Sequence, residues 1–129
     1  MKFQTVCLLG IFTSAPFGLA FLLSPEITTT AYGISGWTPG TEIVGRLLGV
    51  HLLYLASANM ALWTCTEADV QRRFRQLFCA VSLLAAGVAL YAALRPEARL
   101  LNWLTVLTYA FFSYAWATAE LSAPEAQPH

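Results

Sequence analysis

One apolar stretch of this chain, residues 41–66, holds most of the side chains that could do chemistry. It contains Arg46, the one charge within an apolar run, and Glu42 stands four residues before it. Residues four apart lie on one face of a helix, so these two side chains can form an ion pair. An arginine at a membrane centre costs about 2.5–3.5 kcal/mol, and less near an interface, so it needs a partner. Arg46 therefore has two interpretations: an anchor for its helix, or a contact for an anion or a lipid headgroup.

The ligand-binding interpretation predicts a small site where this helix meets the long loop before it. Trp37 lies in that loop and is expected at the level of the lipid headgroups, where tryptophan is enriched. At 100° per residue, Ser57 shares a stripe with Arg46 and Gly49, and this stripe is expected to face the interior of a helix bundle. The candidate ligand-binding residues are Arg46, Glu42, Trp37 and Ser57.

The same stretch carries residues that suit helix packing. Gly45 and Gly49 form a G-x-x-x-G pair, which allows two helices in lipid to approach closely. Asn59 is expected to hydrogen-bond across to a neighbouring helix, as polar side chains do between membrane helices. The candidate packing residues are Gly45, Gly49, His51 and Asn59.

His51 has two interpretations. It is expected to hydrogen-bond to another helix through Tyr109 or Thr105. A histidine can also ligate haem or chlorophyll, but a bis-histidine haem would need a second histidine inside the membrane, and His129 is in the tail. No cofactor is therefore expected.

Catalytic and metal-binding motifs are not visible in the sequence. The cysteines Cys7, Cys65 and Cys79 are odd in number and form no C-x-x-C pair, so a disulfide framework is not expected. Thiolates bind soft metals such as Cu(I), but the paired cysteines of small metal-transporting membrane proteins do not occur here. The sequence also lacks a serine, histidine and acid arrangement and a phosphate-binding loop. It predicts a protein without catalytic residues or a metal site.

The elements that must position these residues are apolar helices. The chain has 129 residues, of which 57% are hydrophobic and 11% charged, against about 45–50% and 25% in soluble domains. Its apolar runs have about the 20 residues that a helix needs to cross a bilayer. The predicted fold is all-α: a polytopic membrane protein with four transmembrane helices in a single bundle, forming one domain over residues 1–129. The predicted spans cover about 3–23, 43–65, 76–94 and 100–119, followed by a disordered tail at 120–129.

A short helix at the membrane surface is predicted in the first external loop. Ser24 suits the N-cap, Pro25 the first turn and Gly33 the C-terminal cap, so the helix should cover about 25–32. Pro39 is expected to break the backbone before the second span.

Basic residues predict the orientation in the membrane. The segment 67–75 is expected to form a polar hairpin, and it contains Arg72, Arg73 and Arg75. Positive charge in short loops favours the cytoplasmic side, so both termini should also be cytoplasmic. The predicted location is the bacterial inner membrane, and the zero formal net charge gives no indication of a nucleic-acid partner.

The first apolar run also resembles a secretory signal. Lys2 provides a basic start, and the Gly-Leu-Ala sequence at 18–20 resembles a cleavage site. The run continues through Leu23, however, whereas the apolar part of a signal peptide is typically about 7–15 residues. A retained membrane span is the preferred interpretation.

The order of short spans, with G-R-L-L-G opening the second, resembles small bacterial membrane proteins of the DoxX-like kind. Their R-L-x-G pattern corresponds here to Arg46, Leu47 and Gly49. The resemblance implies a four-helix membrane fold more than a biochemical role.

Two functional hypotheses follow. The first is a non-enzymatic accessory or interaction subunit, packed against a membrane-protein partner or a second copy of the chain. The alternative is a carrier or binding protein for a small ligand or lipid, with its mouth at Arg46 and the loop 24–42. A membrane enzyme ranks third, and no sequence feature separates the first hypothesis from an immunity protein that guards against a membrane-active toxin.

Overall fold

The computed structural model describes residues 1–96 and 98–121, and over this part the chain is all-α. No strand forms among the described residues, where a single isolated bridge pairs Lys2 with Glu120. The helices are α1 (Phe3–Leu23), α2 (Pro25–Ala31), α3 (Pro39–Trp63), α4 (Ala68–Ala93) and α5 (Leu100–Ala117).

Three of these helices, α1, α3 and α4, are long and apolar enough to cross a membrane. They have 21, 25 and 26 residues, and at about 1.5 Å per residue each exceeds the roughly 30 Å of a hydrocarbon core. The helix α5 has 18 residues and mixes aromatic and hydroxyl side chains with its apolar ones. The described residues therefore contain three candidate spans, whereas the sequence predicts four.

The start of α3 differs from the prediction, because Pro39 begins the helix instead of breaking the backbone. Thr38 forms a capping box, in which its Oγ1 accepts from the Thr41 amide at 3.2 Å and its own amide donates to Thr41 Oγ1 at 2.8 Å. Proline fits the first position of a helix because the amide hydrogen it lacks would have no helical acceptor there. The second apolar run is consequently helical from residue 39.

The start of α4 also differs, because the predicted polar hairpin forms its first two turns. Gln71 is buried and donates from Nε2 to the Cys65 carbonyl at 2.7 Å, which joins this turn to the connection before it. Arg75 donates from Nη1 to the Ala119 carbonyl at 3.0 Å, beyond the end of α5. The basic residues of segment 67–75 thus lie on a helix.

The helices form two antiparallel pairs, α1 with α3 and α4 with α5, and α2 lies across α1 and α3. We call the end of the fold with Phe3 and Ala117 the terminal end, and the end with α2 the loop end. The two pairs meet at the terminal end in a buried apolar cluster. Its members are Phe3, Val6, Cys7, Leu62, Phe112, Ala115, Trp116 and Ala119.

Aromatic rings organise this cluster. The Trp116 ring meets Phe3 edge to face, with centroids 5.5 Å apart, and stacks on Phe78 at 5.1 Å. These contacts join α5 to both α1 and α4. Apolar packing at the terminal end therefore connects the two helix pairs.

Glu120 and Leu121, which belong to the predicted tail, contact other parts of the chain. The Glu120 amide donates to the Met1 carbonyl at 2.8 Å, and the Phe3 amide donates to the Glu120 carbonyl at 2.9 Å. Leu121 packs against the apolar cluster. The first residues of the chain thus supply the backbone partners of Glu120, while residues 122–129 of the predicted tail lie outside the described residues. The disorder of the tail stays a prediction.

Candidate functional site at the loop end

Close contact between α1 and α3 positions the candidate residues. A Cβ atom at Gly49 would lie 2.7 Å from the Gly18 carbonyl oxygen and 2.7 Å from the Leu22 amide nitrogen. A Cβ atom at Gly45 would lie 2.9 Å from the Cβ of Pro25 in α2. The G-x-x-x-G pair therefore brings the backbone of α3 against α1 and α2, and no side chain larger than hydrogen fits at Gly49 without movement.

Asn59 lies in the same helix contact, near the terminal end. It is 2% exposed, and a Cβ atom at Gly10 of α1 would lie 2.8 Å from its Oδ1. Its Nδ2 donates at 2.9 Å to the Leu55 carbonyl of its own helix. Asn59 thus packs on α1 by shape and makes no hydrogen bond across to it among the described residues, which differs from the predicted interhelical bond.

Arg46 joins the beginning of α3 to the end of α1. Its Nε and Nη2 donate to Glu42 Oε1 at 3.1 and 2.9 Å, and its Nη1 donates to the Leu22 carbonyl at 2.8 Å. Leu22 lies in the last turn of α1, where carbonyl groups have no helical partner. The arginine supplies that partner and places a cation at the negative end of the helix dipole. Each guanidinium nitrogen is therefore engaged within the chain, so an anion would compete with Glu42.

Trp37 lines a separate cavity of about 250 Å³ under the first loop. The cavity lies between α2, the loop that follows it, the first turn of α3 and the residue before α5, and among the described residues neither Arg46 nor Glu42 lines it. It places two charges of opposite sign beside an indole ring, which suits a small anionic or zwitterionic group. The side chains lining it include Glu26, Thr30, Trp37, Thr41 and Arg99.

Ser57 lies apart from both arrangements. It is eleven residues beyond Arg46, which is roughly 16 Å along a helix. Its side chain is exposed, and its Oγ donates to the Leu53 carbonyl at 2.9 Å. The four predicted ligand-binding residues are therefore divided among an ion pair, a cavity and an outward helix face.

His51 does not form the predicted hydrogen bond to Thr105 or Tyr109. Its side chain is exposed, and its Nδ1 lies 2.8 Å from the Leu47 carbonyl of its own helix. Thr105 instead pairs with the hydroxyl of Tyr32 at 3.0 Å. The physical reason is the pairing of the helices: α3 packs on α1 and α5 packs on α4, so the outward face of α3 reaches neither residue.

Sequence reasoning did not identify Arg99 and Glu26, which supply the charges of the loop-end cavity. It also did not identify an open apolar groove of about 330 Å³ between α1 and α5. Both features form because elements distant in sequence come together, so periodicity within one helix gives no signal for them. The groove is lined by Leu9, Thr13, Leu104, Leu107, Thr108, Phe111 and Phe112.

No protein-family model, curated protein or solved structure matches this chain. The resemblance to DoxX-like proteins stays a prediction that rests on Arg46, Leu47 and Gly49. Two of these residues have a geometric role in the structure, since Arg46 and Gly49 both contact the last turns of α1.

The part of the chain that the structure describes contains no group of side chains placed to bind a metal ion. Within residues 1–96 and 98–121, no three histidine, cysteine, aspartate or glutamate side chains lie together as a metal site. Cys7, Cys65 and Cys79 are free thiols, and Cys7 belongs to the apolar cluster.

Proposed function

We propose that this chain is an integral protein of the bacterial inner membrane with four membrane-spanning helices, and that it acts as a non-enzymatic accessory or interaction subunit. The candidate spans α1, α3 and α4 support three of these helices. The antiparallel packing of α5 on α4 supports the fourth, and its 18 residues extend roughly 27 Å, close to the hydrocarbon thickness. The place of α1 in the apolar cluster, through Phe3 and Val6, supports its retention as a span.

The proposed orientation in the membrane rests on the basic residues at the terminal end and on the short helix α2 at the loop end. Lys2, Arg72 and Arg73 lie at the terminal end, and the positive-inside rule then puts this end and both termini in the cytoplasm. The helix α2 is too short to span and lies over α1 and α3, with Ile27 exposed. We place it at the outer surface, with Trp37 among the headgroups.

The outward face of α4 is the observation that carries the interaction role. Only 11% of the most apolar stretch of α4 is buried within the chain. A Cβ atom at Gly87 would meet nothing within 4 Å, while Leu84, Val88 and Tyr91 around it are exposed. A small residue among large apolar ones allows a second membrane helix to approach closely. This face therefore suits contact with a partner helix.

Photo-crosslinking in intact membranes tests this role. A crosslinking residue at Val88, on the outward face, should form one adduct of defined protein mass, and native mass spectrometry of the purified complex should give its stoichiometry. The same residue at Ser82, which is buried, is the matched control and should form no intermolecular adduct. Gly87→Leu should lower the Val88 yield, because the larger side chain holds the helices apart. Adducts with lipid alone would contradict the proposal.

A second candidate function is the binding of a small ligand or lipid headgroup. The loop-end cavity supports it, because Arg99 and Glu26 line this cavity together with Trp37. The binding site would then lie at the cavity instead of at Arg46. Native mass spectrometry with an anionic phospholipid should show retention that Arg99→Gln lowers and Arg72→Gln does not. If both variants lost the same amount of bound phospholipid, the lipid would be held only by nonspecific attraction to positive charge.

A further inference from the structure

Two polar groups on the outward face of α3 have no hydrogen-bond partner among the described residues. The first is the Nε2 of His51. Because a carbonyl only accepts, the contact between Nδ1 and the Leu47 carbonyl at 2.8 Å assigns the hydrogen of the neutral ring to Nδ1, and Nε2 is then an acceptor. The second is the hydroxyl of Tyr54, a side chain that is 75% exposed and can donate.

Both groups lie at the middle of the helix. His51 is the central residue of α3, which covers Pro39–Trp63, so it is roughly 18 Å from either end. If α3 spans the membrane, His51 and Tyr54 lie in the hydrocarbon core, where no water completes their hydrogen bonds. Ionisable side chains at that depth almost always face a protein interior. Here they face away from the chain, so this face of α3 needs a protein neighbour.

We propose that this face binds a second copy of the chain, with the two α3 helices parallel about a twofold axis along the membrane normal. In the dimer, the Tyr54 hydroxyl of each copy donates to the His51 Nε2 of the other. This inference rests on the proposed function, in which α3 is a span and the protein acts through helix packing.

Donor and acceptor positions favour a second copy over another protein. All copies insert in one orientation, so equivalent residues of the two α3 helices lie at the same depth, and a twofold interface pairs residue i with j and j with i. His51 and Tyr54 are three residues apart, an offset of about 4.5 Å along the axis that the long tyrosine side chain bridges. The dimer thus contains two equivalent hydrogen bonds, which use the acceptor and the donor of each copy. A different protein would need to supply a matching donor and acceptor of its own.

The surrounding side chains fit this contact. Leu47 and Val50 are exposed on the same side of α3 and supply apolar surface. Ser57 and Ala61 are small and exposed one to two turns further along, which allows the helices to approach there. The Ser57 hydroxyl is already satisfied by the Leu53 carbonyl at 2.9 Å. The face therefore combines close packing with one reciprocal pair of hydrogen bonds.

The test measures the dimer fraction of the full chain in lipid nanodiscs or vesicles, by single-molecule photobleaching across a range of protein-to-lipid ratios. The wild type should dimerise. Tyr54→Phe, which removes only the hydroxyl, should raise the dissociation constant about tenfold, since two interhelical bonds are lost together. Tyr114→Phe is the matched control, because Tyr114 is 70% exposed, close to the value for Tyr54, but lies on α5. It should leave the dimer unchanged.

A double-mutant cycle completes the test. His51→Phe should weaken the dimer as Tyr54→Phe does, and the double variant should weaken it little further, because both changes break the same bonds. A monomeric wild type would overturn the inference, as would equal effects of Tyr54→Phe and Tyr114→Phe. A Soret band lost in His51→Phe would also overturn it, because haem iron would then occupy Nε2. If the chain were monomeric but still bound another membrane protein through α4, only the dimer inference would be overturned. If alkaline carbonate extracted the chain from membranes, the proposed function would be overturned as well.

Discussion

The guanidinium of Arg46 donates to the backbone carbonyl of Leu22 at 2.8 Å and so closes the last turn of α1 from the neighbouring helix. Arg75 has the same relationship to Ala119 at the opposite end of the fold, at 3.0 Å. In both places a cation satisfies a carbonyl that lacks a helical partner and lies at the negative end of a helix dipole. Arg46 and Arg75 therefore both act on helix ends.

Arg46→Gln should leave membrane insertion intact but loosen the contact between α1 and α3 at the loop end. The side chain is 49% exposed, so the loss of its hydrogen bonds should cost only about 1 kcal/mol of unfolding free energy. Thermal unfolding in detergent, followed by circular dichroism, measures the change. Arg72→Gln is the control, since Arg72 makes one exposed ion pair with Asp69 at 3.7 Å. If the two variants lost equal stability, the capping role of Arg46 would be refuted.

Alanine substitutions at Gly49 and Gly87 should affect the stability of the fold differently. Gly49→Ala places a Cβ against the backbone of Gly18 and Leu22, which should cost about 1–3 kcal/mol because backbone atoms must shift. Gly87→Ala meets no atom within 4 Å and should leave the stability of the isolated chain unchanged or slightly raised, since alanine favours helix. Unfolding by sodium dodecyl sulfate in mixed micelles compares them. Equal stabilities would argue against the observed crossing of α1 and α3.

A pair of tryptophan substitutions tests the apolar cluster. Trp116 is 2% exposed and joins Phe3 to Phe78, so Trp116→Ala should cost about 3–5 kcal/mol, as truncations of large buried aromatic residues do. Trp103 belongs to the same helix but is 44% exposed, and Trp103→Ala should cost much less. The same unfolding measurement in detergent separates the two variants. A larger effect at Trp103 would place the main packing of α5 elsewhere.

Cysteine labelling tests the orientation. In a background with Cys7, Cys65 and Cys79 replaced by alanine, Arg73→Cys at the terminal end should react with a membrane-impermeant maleimide only after the cytoplasmic side is opened. Ser35→Cys, in the loop at the opposite end, should react in intact spheroplasts. The reverse pattern would invert the proposed topology. Reaction of both from the same side would contradict an odd number of spans between them.

The helices could be predicted from the sequence more accurately than their ends. Length and apolar character identify α1, α3 and α4 because a helix must have both to cross lipid. Pro39 misled the prediction, since proline breaks a helix in its interior but suits its first position, and only the Thr38 cap distinguishes the two cases. The predicted hairpin around Arg72 and Arg73 differs from the structure for a similar reason, because polar residues at the end of a long helix have the composition of a loop.

Within the candidate site, only contacts between residues of the same helix could be predicted from the sequence. The spacing of Arg46 and Glu42 predicts their contact, because both lie on α3 four residues apart. A helical wheel gives the angle between two residues but not the direction in which the neighbouring helix lies. The expected inward direction of Ser57 and the expected partners of His51 therefore differ from the structure. The cavity at Arg99 was not predictable, since it requires the residue before α5 to lie against the loop that joins α2 to α3.

The hydrogen bonds that join Met1 and Phe3 to Glu120 constrain the order in which the protein is assembled during synthesis. The helix α1 can pair with α3 as soon as residue 63 has left the ribosome, and α4 with α5 only later. The apolar cluster needs Trp116 and Ala119 from the last part of the described chain. Until these residues arrive, Phe3 and Val6 have only part of their final surroundings. Of the described helices, α1 is made first, and it is consequently among the last to reach its complete set of contacts.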